Sequence, residues 1–216
     1  MGQKVNPIGF RLGNTFTSSS RWFSEKADYA KTVLEDHKLR QHLEKKLESA
    51  GIVDIIIERS LTKIKVTMAV SRPGVVIGKG GANLEDTKKD IERILNVSKS
   101  RKDKVKVDLR IEEIVKPDLS AKLVVERISN QLMKRYPHRR AVMQALERVM
   151  QAGAEGVKIV LSGRIGGAEI ARTQKVSKGS VPTQTLRANI DYYEKGARTR
   201  SGYVGIKVWI NKGEAR

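Results

Sequence analysis

The chain has 216 residues, enough for one large domain or two small ones, and its 39% apolar content is sufficient to bury a core. Its 43 Lys and Arg against 24 Asp and Glu give a net charge of +19, so the expected partner is a polyanion: RNA, DNA or an anionic membrane surface. Cysteine is absent, which excludes disulfides and thiolate metal sites and suits a reducing cytoplasm, while aromatics at 5% leave the core to Ile, Val, Leu and Ala.

The start, Met1-Gly2-Gln3-Lys4-Val5-Asn6-Pro7, lacks the apolar stretch of a signal peptide, and Asn6 stands where a myristoylation signal wants Ser or Thr. No apolar run approaches the roughly 20 residues of a spanning helix. Residues 1–24 hold three bases and no acids, with Gly2, Pro7, Gly9, Gly13 and the run Ser18-Ser19-Ser20. They read as an extended basic arm, disordered until RNA orders it, with Lys4 and Arg11 as RNA contacts. From about Lys26 to Ser49, Ala30, Val33, Leu34, Leu43 and Leu47 recur at helical spacing, and Gly51 supplies a stop. Ile52 to Glu58 is β-branched and apolar, and in Lys63-Ile64-Lys65-Val66-Thr67-Met68 the apolar residues alternate as in a strand. After a glycine-rich turn, Leu84, Ile91 and Leu95 mark a helix. Val105, Val107, Leu109 and Ile111 then alternate with Lys104, Lys106, Asp108 and Arg110 in a further strand.

Lys116-Pro117-Asp118 is the expected boundary, Pro117 ending the strand and Asp118 capping the next helix. Ala121, Val124, Ile128 and Leu132 define that helix; Tyr136-Pro137 breaks it; Val142, Ala145 and Val149 define another, closed by Gly153. Strands are predicted near Val157–Leu161, Ile170–Val176, Leu186–Tyr192 and Val204–Ile210. The order α-β-β-α-β followed by α-α-β-β-β-β is that of two α+β units, each with helices on one face of a sheet. The predicted division is an arm at 1–24, a first domain at 25–116 and a second at 117–216. Charge is uneven across it: residues 117–216 hold nineteen bases and eight acids. Segregated charge points to a binding face rather than to solubility alone.

Val76-Ile77-Gly78-Lys79-Gly80-Gly81 carries the sharpest local signal. Gly78 and Gly81 frame a two-residue turn before a helix; missing side chains let a phosphate backbone approach, Lys79 adds charge, and amides at the helix start favour anions. A nucleotide-hydrolysing P-loop is excluded, because Gly74 lies one residue too close to Gly78-Lys79 and Gly80 stands where a hydroxyl is required. A dinucleotide fingerprint fails for want of a third glycine at Asn83.

The loop resembles the G-x-x-G element of KH domains, which clamps about four nucleotides, and the flanking element order is similar to the type II KH arrangement. Three further stretches extend the resemblance to the small-subunit ribosomal protein S-three family of the bacterial type. These are Gly2 to Pro7 with Arg11-Leu12-Gly13, Ser162-Gly163-Arg164-Ile165-Gly166-Gly167-Ala168-Glu169-Ile170-Ala171-Arg172-Thr173, and Gly205-Ile206-Lys207-Val208-Trp209-Ile210. Arg72-Pro73-Gly74-Val75 before the loop belongs to the same pattern, and the likeness spans residues 1–213. It implies a two-domain, non-enzymatic component of the small-subunit head that binds rRNA, sits beside proteins S-ten and S-fourteen, and lines the channel where mRNA enters. It also implies help in unwinding mRNA, carried by Arg139-Arg140. This sequence departs from the family one turn later, where Met143-Gln144 replace further basic residues. The resemblance fits a bacterial cytoplasm or a plastid.

Arg139 and Arg140 follow Pro137-His138 at a helix start, where a cation opposes the macrodipole and gains nothing structurally, so a phosphate partner is expected. From Ile170 to Ile190, Arg172, Lys175, Lys178 and Arg187 occur without one acid, a strip that with Arg164 is expected to face rRNA phosphates. Lys63 and Lys65 read as the wet face of their strand, and His37, His42 and His138 as scattered surface without metal spacing. Glu112 and Glu113, adjacent on a strand, point to opposite faces and cannot share acid/base work. No nucleophile elbow or zinc-binding helix motif is present, so neither an enzyme, a cofactor, a metal nor a small-molecule substrate is expected. A free KH regulator of mRNA has no need of the acid-free strip, and a membrane-surface protein wants aromatic anchors that this composition lacks.

Overall fold

The computed structural model describes residues 3–60, 62–95 and 106–214. The chain opens with α1 (Pro7–Phe10), a single turn capped by Asn6, whose Oδ1 accepts from the amides of Ile8 at 2.9 Å and Gly9 at 3.4 Å. Two compact units follow from the chain contacts. One runs from Ser18 to Val115; the other combines the residues up to Thr17 with those from Lys116 onward. The contacts divide after Val115, one residue before the expected end of the first domain, and the first seventeen residues group with the second unit instead of standing as a separate arm.

The first unit comprises β1 (Ser20–Arg21), α2 (Lys26–Lys46), β2 (Ile52–Arg59), β3 (Lys63–Val70), α3 (Pro73–Ile77), α4 (Ala82–Ile94) and β4 (Lys106–Glu113). Its sheet has the order β1-β2-β3-β4, antiparallel between β2 and β3 and parallel at the other two pairs. Alternate residues Ile64, Val66, Met68 and Val70 of β3 are buried, with Ile55 and Ile57 of β2, against Leu39 and Leu43 of α2 and Ile91 of α4. Val107 joins this core; Lys104 and Val105 lie outside the described residues. Only the second half of α2 packs. Ala30, Val33 and Leu34, expected on its buried stripe, are exposed. Lys63 and Lys65 do face solvent, paired across strands with Asp108 at 3.0 Å and Glu58 at 2.9 Å.

β1 lies within the stretch that the sequence reads as an extended arm. It is held by two α2 side chains one turn apart. Arg40 donates to Ser19 O at 3.0 Å and Ser20 Oγ at 2.9 Å. Asp36, almost fully buried, accepts from Trp22 Nε1 at 2.8 Å and from the Arg59 guanidinium.

The second unit carries α5 (Ala121–Met133), α6 (His138–Gln151), β5 (Gly156–Gly163), β6 (Arg172–Gly179), β7 (Ala188–Thr199) and β8 (Gly202–Glu214). Its sheet is antiparallel throughout, in the order β6-β5-β8-β7. Val157, Ile159 and Leu161 of β5 and Ile206, Val208 and Ile210 of β8 bury their side chains against Val124 and Ile128 of α5 and Val142, Ala145 and Val149 of α6. Asp118 does not cap α5; it ion-pairs with Arg127 at 2.6 Å, and the Ala121 amide donates instead to Asp191 of β7 at 3.2 Å. Where β5 meets β6, Gly156 pairs with Gly179, and a Cβ on either would lie 2.1 or 2.2 Å from a carbonyl oxygen of Ser180 or Glu155. No side chain fits at that pair.

Candidate nucleic-acid interface

In the first unit the glycine loop joins α3 to α4. Gly78 ends α3 with φ +70°, and a Cβ there would lie 2.7 Å from Asn83, whose amide donates back to Val75 O at 3.2 Å. Gly80 and Gly81 also have positive φ, 62° and 83°, and have open space around their Cα atoms. No side chain caps α4 at Gly81, so its first amides and the positive end of its dipole are offered outward. Val75 and Ile77 are partly exposed beside the loop. The side chain of Lys79 lies outside the described residues. The turn thus combines close approach, free donors and an apolar margin, which is what an unpaired nucleic-acid strand requires.

In the second unit, α5 ends in a turn where Arg135 adopts φ +60°, and Pro137 begins α6 without a side-chain cap. Arg139 and Arg140 are exposed in its first turn, which holds no acid, and neither is ion-paired among the described residues. One turn on, Met143 is exposed and Gln144 accepts from Gln131 of α5 at 3.3 Å. The Arg164 loop is pinned by Ile165 in the core and by Arg164 Nε donating to Ala168 O at 2.9 Å.

The acid-free strip is divided by strand parity. Arg172 and Lys178 pair with Gly163 and Val157 and share their side of β6 with Val176, which packs toward the helices. Lys175 pairs with Val160 and points to the opposite face. All three are exposed, as is Arg187 just before β7. The strip is therefore two-sided rather than one surface.

On the face shared by Lys175 lies a site that sequence reasoning missed. The Lys158 ammonium sits 5.3 Å from the centroid of the Trp209 ring, which is tilted against Tyr192 at 5.0 Å. Partial burial, then the positive charges of Lys4 and Lys175, hold the Lys158 pKa below the usual lysine range. Three lysines drawn together against an aromatic ring form a place for a polyanion. The signal was the alternation of Lys158 with Val157 and Ile159, matched to Trp209 across β8. Nearby, the Tyr192 hydroxyl donates to Glu194 at 2.6 Å; this bond and Lys207 lower the Glu194 pKa, while burial raises that of Tyr192.

Arg11 has no part in this. It is fully buried, donating from Nε to Ala188 O at 2.8 Å and from Nη1 to Pro7 O at 3.0 Å. Its Nη2 donates to Thr185 O at 2.8 Å, Thr183 O at 3.0 Å and Pro182 O at 3.4 Å. The expectation that Arg11 contacts RNA is thereby corrected, as is that of a disordered arm for residues 3–17, which fold onto β7 and the segment before it. Lys4 remains exposed. Among the described residues no helix is long and apolar enough to cross a membrane, and no group of acids and histidines could hold a metal.

Residues 38–119 match the family described as KH domain, and residues 128–210 match that described as Ribosomal protein S3, C-terminal domain. The small ribosomal subunit protein uS3 of Hyphomonas neptunium is 48% identical over 214 residues, covering 99% of this chain and 84% of that protein. Its counterpart from Caldanaerobacter subterraneus is 45% identical, covering 99% and 93%, and that from Persephonella marina 45%, covering 99% and 91%.

Proposed function

Because the chain belongs to the bacterial-type ribosomal protein S3 family, we propose that it is a structural, non-enzymatic part of the small ribosomal subunit whose second unit also grips incoming mRNA. Ribosomal RNA is its main ligand. Gly78 to Gly81, Lys4, Arg164, Arg172, Lys175, Lys178 and Arg187 are the contacts proposed for it, with Lys158 added. The ribosome places the protein in the cytoplasm or its plastid equivalent. Proteins S-ten and S-fourteen are the proposed neighbours.

The observation that carries the mRNA reading is the start of α6. Arg139 and Arg140 stand exposed and unpaired where the helix dipole repels them, so nothing within the described fold explains two cations there. A phosphate backbone does. Such contacts hold a strand without reading its sequence. With Gln144 turned to Gln131, only the first turn contributes, and the expected effect is modest. Replacing both arginines with alanine should leave subunit assembly normal and slow elongation on a message with a stable downstream hairpin, sparing unstructured messages. Losing two exposed phosphate contacts weakens binding by about 1–2 kcal/mol at low salt. Equal slowing on both messages overturns the unwinding role, and failure to assemble reassigns the pair to rRNA.

A further inference from the structure

A cavity of about 370 Å³ opens in the second unit where the α5–α6 turn, the Arg164–Gly167 loop and the β7–β8 turn converge. Its volume lies in the range of roughly 300–1,000 Å³ usual for ligand pockets. The floor is apolar, made by Leu132, Leu161, Ile165 and Val204, with the rings of Tyr136 and His138 at the wall. Arg135, Arg164 and Arg200 also line it, one from each converging loop, and none is ion-paired among the described residues. Three features are unusual together. Arginines from separate loops are gathered without a carboxylate; Arg135 is held at φ +60°, a conformation a long side chain rarely adopts; and Gly166 and Gly167, both at positive φ, lie against His138 and Ser201, which a Cβ would meet at 3.7 and 3.4 Å. His138, expected as scattered surface, is half-buried here, and the next two residues are Arg139 and Arg140.

We propose that this cavity receives one unstacked nucleotide, its base on the apolar floor beside Tyr136 and His138 and its phosphates against the three arginines. A base offers two apolar faces flanked by anions, and the cavity offers the complement. Paired RNA keeps its bases stacked inside the helix and cannot enter. The inference rests on the reading that Arg139 and Arg140 hold an RNA strand, which then runs past the mouth. Capturing a nucleotide favours the unpaired form of that strand, so binding alone shifts a duplex toward melting. This supplies unwinding without an energy source.

The test uses the full chain and two RNA stems identical except for one bulged adenosine. The bulged stem should bind about tenfold more tightly, as stacking of one base predicts. Ser201→Trp, which fills the mouth from the β7–β8 turn, should abolish that preference, and Arg200→Ala should reduce it while leaving the floor intact. Arg139→Ala with Arg140→Ala should weaken both RNAs alike and keep the preference. Excess adenosine monophosphate should erase the preference by taking the place of the bulged adenosine, and a preference that it leaves unchanged overturns the cavity. Equal, salt-sensitive binding of both stems, or a preference that survives both Ser201→Trp and Arg200→Ala, overturns the cavity but not the RNA reading. Failure to bind either stem overturns the reading itself.

Discussion

Replacing Arg11 with methionine separates a structural role from an RNA-binding one. The substitution keeps the alkyl stem and removes every donor. Two carbonyls, Ala188 O and Pro7 O, are bonded to it in fully buried surroundings and are left without that partner; those of Pro182, Thr183 and Thr185 are partly exposed and can turn to water. A buried unsatisfied acceptor costs about 1–3 kcal/mol, which gives about 2–6 kcal/mol for the pair. Removing a buried cation recovers part of this, so a net loss of about 3 kcal/mol is expected. The loss should be local to the second unit. Amide exchange at Phe10 to Leu12 and at Ala188 should accelerate by roughly a hundredfold, since each 1.4 kcal/mol is a factor of ten. Urea denaturation of the same protein should show an earlier midpoint. If exchange and midpoint are unchanged while affinity for rRNA drops, the buried arginine is a ligand after all and the packing argument fails.

Gly179→Ala should destabilise the second unit by about 2–4 kcal/mol in urea titrations, because its Cβ meets Glu155 O at 2.2 Å and backbone must move; a loss below 0.5 kcal/mol would contradict the pairing of β5 with β6. Lys79→Asp with Gly80→Asp should weaken binding of single-stranded RNA by the full chain while its circular dichroism stays unchanged, and unaltered affinity in a filter-binding titration would make the loop structural. Asp90 accepts from Lys46 at 2.6 Å, and this bond, with His42, holds its pKa below the ordinary carboxylate value of 3.8. A carboxylate depressed on folding stabilises the protein above its unfolded pKa, and that stabilisation is lost as pH falls through the folded one. Urea midpoints of the first unit should therefore fall below about pH 4, and less steeply in Asp90→Asn; identical slopes would remove Asp90 from the account.

The long helices and strands, the proline break near Lys116 and the glycine turn are legible because each has a local signature: periodicity, proline, glycine spacing. What was illegible acts at a distance or through backbone. Arg11 bonds carbonyls as much as 177 positions away, and carbonyls leave no mark in a sequence. Asp118 looked like a cap by proximity, yet the group that caps α5, Asp191, lies 70 positions on in a strand. The strip at Arg172, Lys175 and Lys178 was read by charge alone; its pairing with Gly163, Val160 and Val157 decides which face each residue takes. Lys158 is illegible in the sequence because a lone lysine in an apolar strand is ordinary until Trp209 is placed across from it.

The grouping of the first seventeen residues with those after Lys116 has a consequence during synthesis. The amino-terminal segment leaves the ribosome first, but four of the five carbonyls that receive Arg11 are made 171 to 177 positions later. At about 5–20 residues per second, this guanidinium waits roughly 10–35 s, time enough for residues 18 to 115 to fold. A nascent chain halted before Pro182 should therefore hold one finished unit and a cationic leader still exposed to any RNA within reach. Closure onto β7 withdraws that charge, so maturation of the second unit can be timed by the moment the leader becomes resistant to protease.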